Sequence, residues 1–208
     1  KRMLRTAAVL TAVGASMAVG VHDSHALLEL RIDYGNTGGA GSSLGFDLTV
    51  QDDGAGDLAL GTGALINLAP SGNINFLSNT GLSRPLLGTI TDPEMDLHTL
   101  LNSLGATDIR IQLTDTGFSG DPAGFAQLVS IGGSLASGPG SYIIANIYRD
   151  LQNNPFGDGE AGDFICTTGP LVPTINFGFA GGCSQLMTLD DSYSVTIETI
   201  LHLTGPSI

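Results

Sequence analysis

Apolar and polar residues alternate one for one from Leu28 to Tyr34, and again from Leu44 to Val50. A period of two sends successive side chains to opposite faces of a strand, so both stretches predict half-buried β-strands. Residues 35–43 between them are Gly, Asn, Thr, Ala and Ser, and predict a loop. Ala64–Leu68 and Asn73–Leu77 flank Pro70-Ser71-Gly72 and predict a hairpin. The cleanest alternation is Asp108–Thr114, with Ile109, Ile111 and Leu113 facing one way and Arg110, Gln112 and Thr114 the other.

Further strands are predicted at Phe125–Ile131, Tyr142–Tyr148, Phe164–Cys166, Thr174–Phe179 and Tyr193–Leu203. In the last of these Tyr193, Val195, Ile197 and Thr199 alternate with Ser194, Thr196 and Glu198. Helical periodicity is scarce. Glu94–Leu104 fits a short helix or a strand, with strand ahead. No polar linker divides residues 27–208, and no repeat of constant period runs through them. Many short strands with polar turns imply an all-β, single-domain antiparallel β-sandwich, with a jelly roll among the topologies that fit. The chain is rich in glycine (30 residues), yet 42% of it is hydrophobic, enough to bury a core.

The first 26 residues follow a different logic. Lys1, Arg2 and Arg5 precede an uncharged, small and apolar run to Val21, and Ser24-His25-Ala26 supplies small residues at a cleavage site. This predicts an export signal over 1–26 and a secreted domain over 27–208. The apolar run is too short for a comfortable transmembrane span. Three of the seven basic residues and one of the 20 acidic residues lie in this segment, so 27–208 carries a formal net charge of −15. A body this acidic repels phosphate backbones and anionic membrane surfaces, so neither nucleic-acid binding nor membrane insertion of the mature chain is expected. In an oxidising compartment the pair Cys166 and Cys183 predicts a disulfide. After cleavage only His98 and His202 remain as histidines, too few for a His/Cys metal cluster built from sequence neighbours.

Two acidic, glycine-rich loops are the candidate ion sites. Asp52, Asp53 and Asp57 fall within six residues, and Asp158, Glu160 and Asp163 repeat the arrangement shortly before Cys166. Calcium takes six to eight oxygens from a flexible backbone, which suits such loops, although neither matches an EF-hand or a nonapeptide calcium repeat. The competing reading is a solvated turn, where Asp and Gly are common in any case. Gly41-Ser42-Ser43-Leu44-Gly45 has the G-x-S-x-G spacing of a serine-hydrolase elbow, but the strand-before, helix-after context is absent. Glycoside hydrolysis needs two carboxyl groups facing each other across a cleft, whereas the acids here fall in turns. There is no Trp to floor a sugar subsite, and Tyr34, Tyr142, Tyr148 and Tyr193 fall within or at the ends of strands, where packing is their expected role. No catalytic residue is assigned.

Several phrases in the middle of the chain resemble those of the Gly-rich exported proteins of the PEP-CTERM (exosortase-sorted) group. They are Asp53-Gly54-Ala55-Gly56-Asp57-Leu58, Thr80-Gly81-Leu82-Ser83-Arg84-Pro85-Leu86-Leu87-Gly88, Pro93-Glu94-Met95-Asp96-Leu97 and Leu113-Thr114-Asp115-Thr116-Gly117-Phe118. The likeness extends more loosely to Tyr193–Leu203. The resemblance implies a bacterial β-sandwich of the cell surface or secreted matrix, in organisms that make exopolysaccharide. The sequence ends at Gly205-Pro206-Ser207-Ile208 without the Pro-Glu-Pro, apolar span and basic tail that name the group, and truncation and release are both open readings. Within these phrases Gly81 and Gly88 are expected to supply turn dihedrals. Arg84 is expected to pair with Asp92 or Asp96.

The expected function is therefore a non-enzymatic role in an exopolysaccharide or biofilm matrix, binding polysaccharide or other matrix proteins, with calcium as the possible ion. A secreted polysaccharide or ester hydrolase, with Ser43 and a histidine or two loop carboxylates, is one alternative. A filament subunit assembling through sheet edges is the other.

Overall fold

In a computed structural model of the chain, residues 27–33, 47–60, 65–68, 74–83, 86–87, 89, 91, 93–103, 105–119, 125–157, 164–173, 178–187 and 192–206 are described. The fold is all-β, as the alternation predicts. The strands are β1 (Glu29–Asp33), β2 (Leu48–Gln51), β3 (Leu65–Asn67), β4 (Ile74–Leu82), β5 (Asp96–Ser103), β6 (Thr107–Ser119), β7 (Phe125–Ser134), β8 (Tyr142–Asp150), β9 (Phe164–Thr167), β10 (Gly178–Met187) and β11 (Ser192–Leu203). Six form one sheet in the order β2-β1-β6-β11-β8-β9, three form β3-β4-β5, and β7 pairs with β10 in a ribbon. The pairings are antiparallel.

The apolar members of the alternation lie on one face of the large sheet. Leu30 and Ile32 of β1 stand opposite Leu113 and Ile111 of β6. Leu201 of β11 stands opposite Ile109 on one side and Ile143 of β8 on the other. All seven are buried, and burying each such side chain contributes roughly 1.5–3 kcal/mol. Ile66 and Leu68, at β3, Leu97 and Leu101 of β5, Ile131 of β7 and Leu135 close over this face as a second layer. The arrangement is sandwich-like, with the large sheet as one layer and the two small sheets as the other. A satellite cluster of Phe118, Tyr193, Ala145, Ile147, Ile165 and Val195 continues the core toward β9.

Three expectations change. First, β3 does pair with β4, but Leu65, Ile66 and Asn67 meet Leu82, Gly81 and Thr80 at the far end of β4, so no tight hairpin closes across 70–72. Second, Gly81 is not a turn glycine. It is buried inside β4, where an added Cβ would lie 2.5 Å from Leu113 Cδ1. Glycine is needed there because the two layers approach closely, not for an unusual dihedral. Third, the strand expected at 174–179 reaches much further: 178 and 179 open β10, which runs to Met187, and 174–177 lie outside the described residues. Its glycines read as turn punctuation, yet they pair along β7, and a Cβ at Gly181 would meet Leu171 at 2.7 Å.

The predicted disulfide is formed. Cys166 in β9 and Cys183 in β10 have Cα atoms 6.0 Å apart and are separated by 17 residues. It therefore ties the edge of the large sheet to the two-stranded ribbon. Such a ribbon is marginal alone, and this link adds about 3 kcal/mol in the chain-entropy model.

Candidate functional site

The acidic turn after β2 is compact. Gly54 N–H donates to Gln51 O at 2.8 Å and Asp57 N–H to Gly54 O at 3.2 Å. Asp53 has φ of 57°, in the left-handed region that Asp tolerates better than most residues. Oxygens of Asp52, Asp53 and Asp57 come within 4.8 Å of one another. Asp57 is buried. Its Oδ1 accepts from Ala59 N–H at 2.8 Å and Asn67 N–H at 3.0 Å, and its Oδ2 accepts from Asp53 N–H at 3.0 Å. Asp52 Oδ1 accepts from Leu65 N–H at 3.3 Å. These carboxylates thus knit the turn to β3. Three carboxylate arms are a start on calcium's oxygen set, with carbonyls or water needed for the rest.

The second acidic loop, with Asp158, Glu160 and Asp163, lies outside the described residues. So do the segment 1–26, Tyr34, Ser43 with its G-x-S-x-G, Arg84, Gly88 and Asp92. The two remaining histidines occupy different layers. His98 is an exposed residue of β5, opposite Thr80. His202 belongs to the large sheet, where Nδ1 lies 2.5 Å from Asp108 Oδ1.

The outer face of the large sheet carries the densest chemistry. Glu198 of β11 is 1% exposed and is the acceptor for four side chains. Oε2 receives Arg110 Nε and Gln112 Nε2, the latter at 2.6 Å. Oε1 receives Asn146 Nδ2 at 2.8 Å and Tyr148 OH at 3.0 Å. Arg31 Nε in turn donates to Gln112 Oε1, and its guanidinium lies 3.9 Å from the centroid of the Phe156 ring. Register explains the convergence: Arg31, Gln112, Glu198 and Asn146 stand in one row across β1, β6, β11 and β8. Of the four arginines after position 26, Arg110 thus bonds the carboxylate directly and Arg31 joins the row through Gln112.

Residues 151–157 cover one end of this face. Asp150 caps the turn, accepting from Gln152 N–H at 2.6 Å and Asn154 N–H at 3.0 Å. Phe156 N–H donates to Thr114 Oγ1 at 3.2 Å and Ser194 Oγ donates to Asn154 O at 2.5 Å. Toward the other end the face opens, and there Tyr142 stacks on His202 with ring centroids 4.8 Å apart. At the β9 edge, in the row of Thr196 and Thr114, Tyr148 meets Phe164 edge-on at 5.7 Å. Phe164 is half exposed. Six residues of β8 separate Tyr142 from Tyr148 by about 20 Å along the strand, with Asn146 between them and Tyr148 itself a donor to Glu198. Tyr193, by contrast, is fully buried in the core, so packing describes it, while Tyr142 and Tyr148 lie along the outer face.

Sequence reasoning missed this face. Arg110 and Glu198 were visible as polar members of two alternating strands, and their complementary charges were the signal. Pairing them requires the β6–β11 register, which a single strand pattern does not contain. No family model, no curated protein and no solved structure matches the chain.

Proposed function

We propose that this is a non-enzymatic extracellular protein of a bacterial exopolysaccharide matrix, and that it holds polysaccharide on the outer face of its large sheet. The observation that carries the reading is the two aromatic pairs along β8, on either side of Asn146 of the Glu198 network. Sugar rings present apolar C–H faces and a rim of hydroxyls. Aromatic surfaces match the first, and partly exposed polar groups on this face such as Asp108 and His202 match the second. Four side chains already hold Glu198 in place, so binding orders few additional groups. The disulfide suits an oxidising compartment.

The test is retention of the protein on the producer's exopolysaccharide, with calcium and then with EDTA. Tyr142→Ala and Phe164→Ala are each expected to weaken retention about tenfold, the equivalent of ~1.4 kcal/mol, without unfolding the protein. Retention unchanged in both variants overturns the assignment of this face. Loss on adding EDTA assigns calcium to the acidic loops, with Asp52, Asp53 and Asp57 as the first set to mutate. Indifference to EDTA leaves those carboxylates to the backbone amides they already accept.

A further inference from the structure

The second layer of the sandwich is split. One half ends at β5 and the other at β7, each bonded to a single strand neighbour among the described residues. Between them runs a slot made of two adjoining cavities of about 190 and 110 Å³. Its floor is the inner face of the large sheet, including Ala145, Ile197, Thr199 and Leu201.

The direction of the two walls is informative. At one end of the slot Met95 and Asp96 lie with Ser130 and Ile131. At the other, Leu100 and Leu101 lie with Ser134 and Leu135. Residue numbers rise together along both walls, so β5 and β7 run parallel across the gap. In an antiparallel sheet, neighbouring strands oppose each other and next-nearest ones run alike. Zero or two strands between β5 and β7 would make them antiparallel. One strand between them completes a six-stranded antiparallel layer, β3-β4-β5-guest-β7-β10, facing the six-stranded sheet.

We infer that the slot accepts a single extended segment of a partner protein, added as a strand antiparallel to both walls. A strand edge offers backbone N–H and C=O groups at strand spacing, which another polypeptide backbone matches. Specificity follows from the alternation of a strand. Inward positions of the guest meet Leu97, Ile131, Leu135 and Leu201 and call for apolar side chains. Outward positions lie beside Asp96, exposed at the rim near the exposed Glu94, and call for Lys or Arg. The same charge argues against a second copy as guest. Residues 27–208 carry −15, so two copies repel each other. This surface lies on the opposite layer from the proposed polysaccharide face and does not depend on that reading.

The probe is a labelled nine-residue peptide of alternating Val and Lys, added to the intact protein and followed by fluorescence anisotropy and amide hydrogen exchange. Saturable binding is expected, with new exchange protection confined to Asp96–Ser103 and Phe125–Ser134. The same peptide methylated at alternate backbone nitrogens is expected to bind at least about tenfold more weakly, because it cannot pair on both sides. Thr199→Trp, which fills the floor, is expected to abolish binding while the far-UV spectrum is retained. Should that variant unfold, the exchange pattern of the wild type decides alone. Several results each overturn the inference. They are no binding of the Val/Lys peptide, equal binding of the methylated peptide, protection outside both walls, and full protection of both walls in the protein alone, which would mean that its own chain fills the slot. Peptide-free dimers that protect the same two strands would overturn it in favour of a second copy.

Discussion

The two faces of the large sheet are built from the same strands and are equally dry at their centres, by opposite chemistry. On the inner face Ile111 and Leu113 are 0% exposed, and on the outer face Gln112 and Thr114 are also 0% exposed. The inner face gains from removing apolar surface from water, which is non-directional and tolerates small shifts. The outer face gains only where each buried polar atom finds its partner, and its geometry is correspondingly strict. The lesson is that the polar half of an alternating strand need not face solvent. In β6 and β11 it forms a second interior, roofed by residues 151–157 and by its own long side chains.

The largest effect should come from breaking the polar interior at its centre. Glu198→Ala removes the acceptor of Arg110, Gln112, Asn146 and Tyr148 together, and is expected to cost about 3–5 kcal/mol in urea denaturation. A loss below about 1 kcal/mol, the range of exposed pairs, would show that water reaches this face and that the two faces are not alike. On the apolar side Leu113→Ala is expected to cost about 2–5 kcal/mol. Its signature is coupling with Gly81. Gly81→Ala alone overpacks the contact with Leu113 and is expected to cost about 1–3 kcal/mol, but much less when Leu113 is already Ala. Additive costs in that double-mutant cycle would contradict the close approach of the layers. An effect of similar size, but local in its exchange signature, belongs to the roof. Thr114→Val strips Phe156 N–H of its acceptor and should cost about 1–3 kcal/mol, with faster exchange in 151–157 and none in the apolar layer. Faster exchange spread through the whole sheet would mean that the roof is not a separate element.

Much of the fold was legible because alternation is a local signal. β1, β6, β8 and β11 lie where Leu28–Tyr34, Asp108–Thr114, Tyr142–Tyr148 and Tyr193–Leu203 alternate. The extension of β10 to Met187 was not legible because Gly181 and Gly182 carry no side-chain pattern, and their role depends on the pairing with β7 and, for Gly181, on Leu171. Gly81 was misread for the same reason: a glycine that makes room and a glycine that bends the chain look alike in sequence. The clustering of Asp52, Asp53 and Asp57 was readable, since six residues and a turn suffice. That Asp57 binds the amides of Ala59 and Asn67 was not, because it depends on where β3 returns. The Glu198 constellation draws its members from β6, β8 and β11, and only the sheet brings them together.

The bond between Cys166 and Cys183 makes the two walls of the slot mechanically unequal. The β7–β10 wall is anchored covalently to the large sheet through β9. The β3–β4–β5 wall is held across the layers by side-chain contacts such as that of Gly81 with Leu113 and by the hydrogen bond from Ser83 Oγ to Asp115 at 2.6 Å. The molecule thus resembles a vice with one fixed jaw and one sprung jaw. Widening the slot is expected to displace the β5 side more readily than the β7 side, and a reductant removes the covalent part of that difference while Ile131 and Leu135 still pack on the core.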